Sequence, residues 1–121
     1  MLDQLYNDTL DLLDLTNAEL GDSTILQICE FLRGSKVRSV KFIRNKLSDD
    51  AIPKMILALG NISTINLSQN MLTEHTLDHL INHRAQMPNM KSVILSQNKI
   101  IERKHKNHID RLRKLDLTVS V

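Results

Sequence analysis

Hydrophobic residues recur along this chain in a fixed frame. Counting from Asn70, apolar side chains stand eight, five and three positions before it (Ile62, Ile65, Leu67) and two after it (Leu72). The same frame fits Asn98, with Met90, Val93, Leu95 and Ile100, and Asn45, with Val37, Val40, Phe42 and Leu47. Towards the N-terminus Leu10, Leu13, Leu15 and Leu20 fill it with Ala18 in place of the asparagine. Towards the C-terminus Leu112, Leu115 and Leu117 do so, with Ser120 there. The frames start near residues 10, 37, 62, 90 and 112, and the run Leu-Ser-Gln-Asn at 67–70 returns at 95–98.

Each frame predicts a strand followed by a helix. Thr64-Ile65-Asn66-Leu67-Ser68 alternates polar and apolar, the signature of a short half-buried strand. After Asn45, the residues Ser48, Asp49 and Asp50 offer N-caps ahead of an apolar stripe at Ile52, Met55, Ile56 and Leu59. Pro53 fits only near a first turn, which puts the cap at Asp49 or Asp50. Asp22 or Ser23 precedes a stripe at Ile25, Ile28, Phe31 and Leu32, and Thr73 precedes one at Leu77, Leu80 and Ile81. Met87-Pro88-Asn89 then breaks that third helix. Residues 1–9, with Leu2, Leu5 and Tyr6 at helical spacing, read as a short N-terminal cap. No unit this small buries its own apolar face, so neighbouring units have to stack.

The frame resembles the leucine-rich repeat LxxLxLxxNxL, in the longer helical variety found in ribonuclease-inhibitor-like proteins. It is complete at Asn45, Asn70 and Asn98 and degraded at Ala18 and Ser120. The resemblance implies an α/β leucine-rich-repeat solenoid: one domain over 1–121, about five repeats, a right-handed horseshoe arc, a short parallel sheet on the concave face and helices on the convex face. The inward amide of Asn45, Asn70 and Asn98 is then expected to bond backbone groups left unpaired where the chain leaves each strand.

Composition narrows what such a scaffold can do. Hydrophobic residues are 41% of the chain but aromatics only 2%, so the core is built from Leu and Ile. The formal charge is +2, with 25% charged residues, which argues neither for disorder nor for a dedicated nucleic-acid protein. The lone cysteine, Cys29, lies on the buried stripe of its helix, so no internal disulfide framework exists and a reducing, cytoplasmic location is expected. No signal peptide is expected, and no apolar run approaches a membrane span of about 18 residues. Three glycines leave no phosphate-cradling loop, and no GxSxG, HExxH or Cys–His constellation occurs. The expectation is a non-enzymatic chain with no cofactor, metal or small-molecule substrate.

The positions between the buried ones face outward on each strand. They are Leu12, Asp14 and Thr16; Ser39, Lys41 and Ile43; Thr64, Asn66 and Ser68; Ser92, Ile94 and Ser96; and Lys114, Asp116 and Thr118. Asn17, Arg44, Gln69 and Gln97 stand beside them, each just before the asparagine position. Strong interface anchors are enriched in Arg and aromatics. The expected contacts are therefore Lys41, Ile43, Arg44, Asn66, Ser68, Gln69, Ile94 and Gln97, on a surface that recognises a protein through the concave strands or an edge of the arc. A bacterial effector acting on a host protein is a variant of this expectation.

Two further features compete with that surface. His75, His79 and His83 stand at the i, i+4 spacing that can grip zinc, but on the side opposite Leu77, Leu80 and Ile81, and a solvated stripe is expected; His105 and His108 carry less weight. Charge is also lopsided. Residues 1–35 hold seven acids against one base, a local charge of −6, and residues 99–114 hold seven bases against two acids, +5. Arg103, Lys104, Lys106, Arg111 and Arg113 thus offer an alternative: a basic last helix for anionic membrane or nucleic acid. Without interleaved aromatics, specific single-strand binding is disfavoured. The end, Leu115–Val121, reads as an alternating strand whose open edge invites self-association or a partner.

Overall fold

The computed structural model describes residues 11–121. The expected N-terminal cap over 1–9, and Leu10 of the first frame, lie outside the described residues.

Five three-residue strands form one parallel sheet in the order β1-β2-β3-β4-β5: β1 (Leu12–Asp14), β2 (Ser39–Lys41), β3 (Thr64–Asn66), β4 (Ser92–Ile94) and β5 (Thr118–Ser120). Between them run four helices: α1 (Asp22–Leu32), α2 (Ile52–Leu57), α3 (Glu74–Asn82) and α4 (Lys106–Lys114). A parallel pair needs a crossover connection, and each helix supplies one. The central residue of every strand (Leu13, Val40, Ile65, Val93, Val119) is buried and in register with the next. These meet the inward faces of the helices, where Ile25, Cys29, Leu32, Met55, Ile56, Leu77, Leu80, Ile109 and Leu112 are buried in a single core cluster. Among the described residues Phe42 is the one fully buried aromatic side chain.

The asparagines join neighbouring units. Asn45 Nδ2 donates to the Leu15 carbonyl (3.0 Å), and its Oδ1 accepts the N–H groups of Ala18 (3.2 Å) and Leu20 (3.0 Å). Asn70 donates to the Phe42 (2.9 Å) and Leu67 (3.0 Å) carbonyls and accepts from Leu47 N–H (3.0 Å). Asn98 donates to Leu67 and Leu95 and accepts from Asn70 and Leu72. Each amide thus fills both donor and acceptor roles against backbone of its own and the preceding unit. Among the described residues no buried side-chain nitrogen or oxygen lacks a partner.

Two local features differ from expectation. The helix-start acids cap across units rather than within them. α1 is preceded by Gly21, and Asp22, already helical, accepts the N–H of Ser48 at 2.8 Å and its hydroxyl. Asp49 opens a 3-10 turn ahead of α2 and accepts the N–H of Thr73 (2.9 Å) and the hydroxyls of Thr73 and Thr76. Thr73 does cap α3, accepting His75 N–H at 3.2 Å, and Pro53 lies in the first turn of α2. Burial opposes ionisation of Asp49, but the hydrogen bonds from Thr73 and Thr76 and the nearby His75 outweigh it and hold its carboxyl below the usual range.

The second difference is at the last strand. The spacing puts the fifth frame on Leu112, Leu115 and Leu117, yet Val119 is the residue opposite Val93, four residues later than Leu115. Leu112 belongs to the buried face of α4, and Leu115 caps that helix half-exposed. The amphipathic helix claims these leucines because α4 needs an inward stripe. The outward residues of β5 are therefore Thr118 and Ser120, not Lys114 and Asp116.

Candidate partner-binding surface

On the sheet face away from the helices, register sets the side chains in rows. One row runs Asp14, Lys41, Asn66, Ile94, Ser120 and another Leu12, Ser39, Thr64, Ser92, Thr118. Lys41, Asn66 and Ile94 are half-buried by their neighbours, as is Ile43 beyond Lys41. Adjacent parallel strands lie about 4.8 Å apart, so these groups form a continuous surface. Asp14 accepts the N–H (3.0 Å) and hydroxyl of Thr16; those bonds, against slight burial and aided by Lys41, keep its carboxyl below the usual range.

Ser68, an expected contact, is buried. It is 7% exposed, and its N–H and hydroxyl donate to Asn66 Oδ1 at 3.0 and 2.6 Å. Asn66 offers only its remaining amide group.

The exposed residues before the asparagine positions share an unexpected backbone. Asn17, Arg44, Gln69 and Gln97 all have φ between 56° and 59°. The left-handed conformation is costly for residues other than Gly or Asn. It persists because the neighbouring unit over-determines it: Asn17 N–H donates to Ile43 (2.8 Å), Arg44 to Ser68 (2.9 Å) and Gln69 to Ser96 (2.9 Å). The turn swings these side chains out at the strand ends and the asparagine in. No sequence signal marks Arg44, Gln69 or Gln97 for this, since none is glycine.

The other candidates are placed elsewhere. His75 is exposed on α3, His79 and His83 are half-buried with ring centroids 6.5 Å apart, and His83 Nδ1 is 3.0 Å from Gln86 Oε1. Among the described residues no group of three or more His, Cys, Asp or Glu could hold a metal ion. His105 and His108, given little weight in the sequence, join α4 to α3: His108 Nε2 lies 2.9 Å from Asp78 Oδ1, and His105 Nε2 4.0 Å from Glu74. Arg103, Lys104, Lys106, Arg111 and Arg113 are all exposed. An open groove of about 530 Å³ beside α4 is lined by Ile101, Arg103, Lys106, Ile109 and Arg113, but also by Glu102 and Asp110. Cys29 is buried, and burial pushes its thiol up to about 12, which removes it as a nucleophile. No helix among the described residues is long and apolar enough to cross a membrane.

No protein-family model matches the chain, and no curated protein matches it significantly. Several solved structures resemble it, two of which illustrate the likeness. One is the leiomodin-1 actin-binding site 2, with a TM-score of 0.80 at 11% identity, over 98% of this chain and 75% of that one. The other is a protein from Bacteroides fragilis, with a TM-score of 0.55 at 14% identity, over 93% of this chain and 41% of that one. The chain thus has a leucine-rich-repeat-like α/β fold built on a five-stranded parallel sheet.

Proposed function

We propose that this chain is a non-enzymatic interaction module that docks a protein partner on the outer face of its sheet and the adjoining strand ends. The observation that carries the reading is the register of Lys41, Asn66 and Ile94. Three chemically different side chains are held side by side on three adjacent strands. A cation, an amide and a branched apolar group, with Ile43 and Arg44 next to them, make a surface that a protein can meet with both polar and apolar contacts. The half-burial of these groups lowers the entropy lost on docking.

In the finer version of this reading, the units are five repeats of the ribonuclease-inhibitor-like variety, wound as a right-handed arc with the sheet concave. Leiomodin-1 actin-binding site 2 supports binding of proteins as a use for such a fold, but the fold does not carry the partner's identity from one chain to another. In this reading the setting is reducing and intracellular, which the single buried Cys29 supports, and an effector delivered into a host cell is a variant of it. A second reading, an anionic membrane or nucleic acid bound by α4, is supported by its exposed Arg and Lys side chains and opposed by Glu102 and Asp110 in the same groove.

Site-specific photo-crosslinking tests the main reading. A benzophenone side chain at Ile94 or Ile43 is expected to form a protein adduct in lysate that the same group at His75 on α3 does not form. The adduct should disappear with Lys41→Glu/Arg44→Glu at unchanged thermal midpoint. Equal adducts from both faces would refute it.

A further inference from the structure

Three cations at the strand ends form no ion pair with a described acid. Beyond the sheet the chain makes a second ladder: Lys46 N–H donates to the Leu20 carbonyl (2.8 Å), Met71 N–H to Leu47 (3.0 Å) and Lys99 N–H to Leu72 (2.8 Å). Leu47, Leu72 and Ile100 are buried, so the residues before them, Lys46, Met71 and Lys99, turn outward as three neighbours in a row. Lys46 and Lys99 are exposed, and Met71 between them keeps 49% of its surface open. Arg44 stands exposed two residues before Lys46. None of Arg44, Lys46 and Lys99 forms an ion pair with a described residue, whereas Arg33 and Arg113 each have an acid on their own helix.

An exposed methionine is an adaptable apolar contact, and flanking uncompensated cations call for carboxylates. The spacing says how these must be displayed. Ladder neighbours lie about 4.8 Å apart, so Lys46 and Lys99 are roughly 10 Å apart with Met71 midway. Side chains on successive turns of a helix lie about 5–6 Å apart, so acid, apolar and acid at i, i+4 and i+7 match the row. An extended strand repeats a face only every ~7 Å and falls out of step.

We propose that the Lys46–Met71–Lys99 rim, with Arg44 beside it, docks an acidic amphipathic helix of a protein partner, carboxylates on the two lysines and an apolar side chain on Met71. This rests on the reading of the chain as a protein-docking module and adds the chemistry of the docked element. A nucleic acid or lipid headgroup would use the cations but leave Met71 without a role, and no aromatic side chain stands in the row for a base to stack on.

The test uses amide NMR of the full chain at near-physiological salt, where diffuse attraction is screened. The probe is an alanine-based helical peptide of about 20 residues carrying Glu, Leu and Glu at i, i+4 and i+7. Saturable shifts centred on Lys46, Met71 and Lys99 are expected. Lys46→Glu/Lys99→Glu should weaken binding at least about tenfold, equivalent to about 1.4 kcal/mol, and Met71→Ser several-fold, with melting unchanged. The inference is overturned by absent shifts, by shifts centred on α4, or by equal binding of the peptide with both Glu replaced by Lys. It is also overturned if phosphatidylserine vesicles or duplex DNA move the same resonances and the peptide does not. A crosslink from Ile94 that survives alongside any of these results leaves the docking surface standing and removes only the acidic helix.

Discussion

Asn98 Oδ1 accepts the backbone N–H of Asn70 at 3.1 Å, so the equivalent residues of two neighbouring units are bonded directly to one another. The same oxygen takes Leu72 N–H, while the amide nitrogen serves the Leu67 and Leu95 carbonyls. Truncating this side chain takes the acceptor from the N–H groups of Asn70 and Leu72 and a donor from the Leu95 carbonyl, while the Leu67 carbonyl keeps Asn70 Nδ2 at 3.0 Å. Asn98→Ala is expected to cost about 1–3 kcal/mol, read as a lower urea midpoint at unchanged slope. Asn98→Asp keeps the acceptor but loses the donor and should be no better tolerated.

Asp49 yields a pH dependence with a definite sign. Its carboxyl titrates below the ordinary value in the folded chain. Its contribution to stability is therefore full above the unfolded carboxylate pKa of about 3.9 and disappears as pH falls through the lower folded value. Asp49→Asn should destabilise the protein at pH 7, by about 1 kcal/mol or less once solvent screening of this part-exposed carboxylate is allowed for. Thermal melts should bring mutant and parent together in acid well below the unfolded value. A gap that persists there would mean the bonds from Thr73 and Thr76 do not need the charge.

The left-handed residues predict an inverted outcome for glycine. At Gln97, with φ 59°, Gly relieves the steric cost of the side chain while losing some chain entropy. Gln97→Gly is expected to be neutral or stabilising by up to about 1 kcal/mol, and Gln97→Val to be destabilising. Chemical denaturation of the pair decides it.

His108 and Asp78 are each part-exposed, so their contact is worth below about 1 kcal/mol. Its effect is local. His108→Ala should leave the global midpoint nearly unchanged and speed amide exchange in α4 relative to α1.

Cys29 gives a simple check on the core. With its thiol buried and pushed up to about 12, it should resist iodoacetamide in the native protein at pH 8 and react at once in denaturant. Rapid native alkylation would mean that α1 opens.

What was legible in the sequence is what repeats at fixed spacing. The buried centres Leu13, Val40, Ile65 and Val93 follow from alternation. The contacts of Asn45, Asn70 and Asn98 follow from an amide recurring where the chain must turn. The adjacency of Lys41, Asn66 and Ile94 needed only the same count. The fifth strand misled because Leu112, Leu115 and Leu117 satisfy strand and helix spacing alike, and only the packing of α4 decides between them. Asp22 and Asp49 looked like ordinary caps, since nothing local says that a carboxylate serves a residue 26 or 24 positions later. The His108–Asp78 contact is non-local for the same reason. Ser68 is less open than alternation suggests because Asn66, two residues away, takes its hydroxyl. The Lys46–Met71–Lys99 row could have been found by counting one residue past each asparagine, a position the strand pattern does not include.

The left-handed turn before each asparagine also governs how such a chain can change length. Strand centres are spaced 27, 25, 28 and 26 residues apart, and the turns at Asn17, Arg44, Gln69 and Gln97 keep step with them. All the variation is therefore absorbed on the helical return. α1 spans 11 residues, whereas α2 spans 6. A segment grafted at Gly34, in the turn after α1, would be carried as a surface excursion. The same graft between Leu67 and Asn70 would push every later unit out of step.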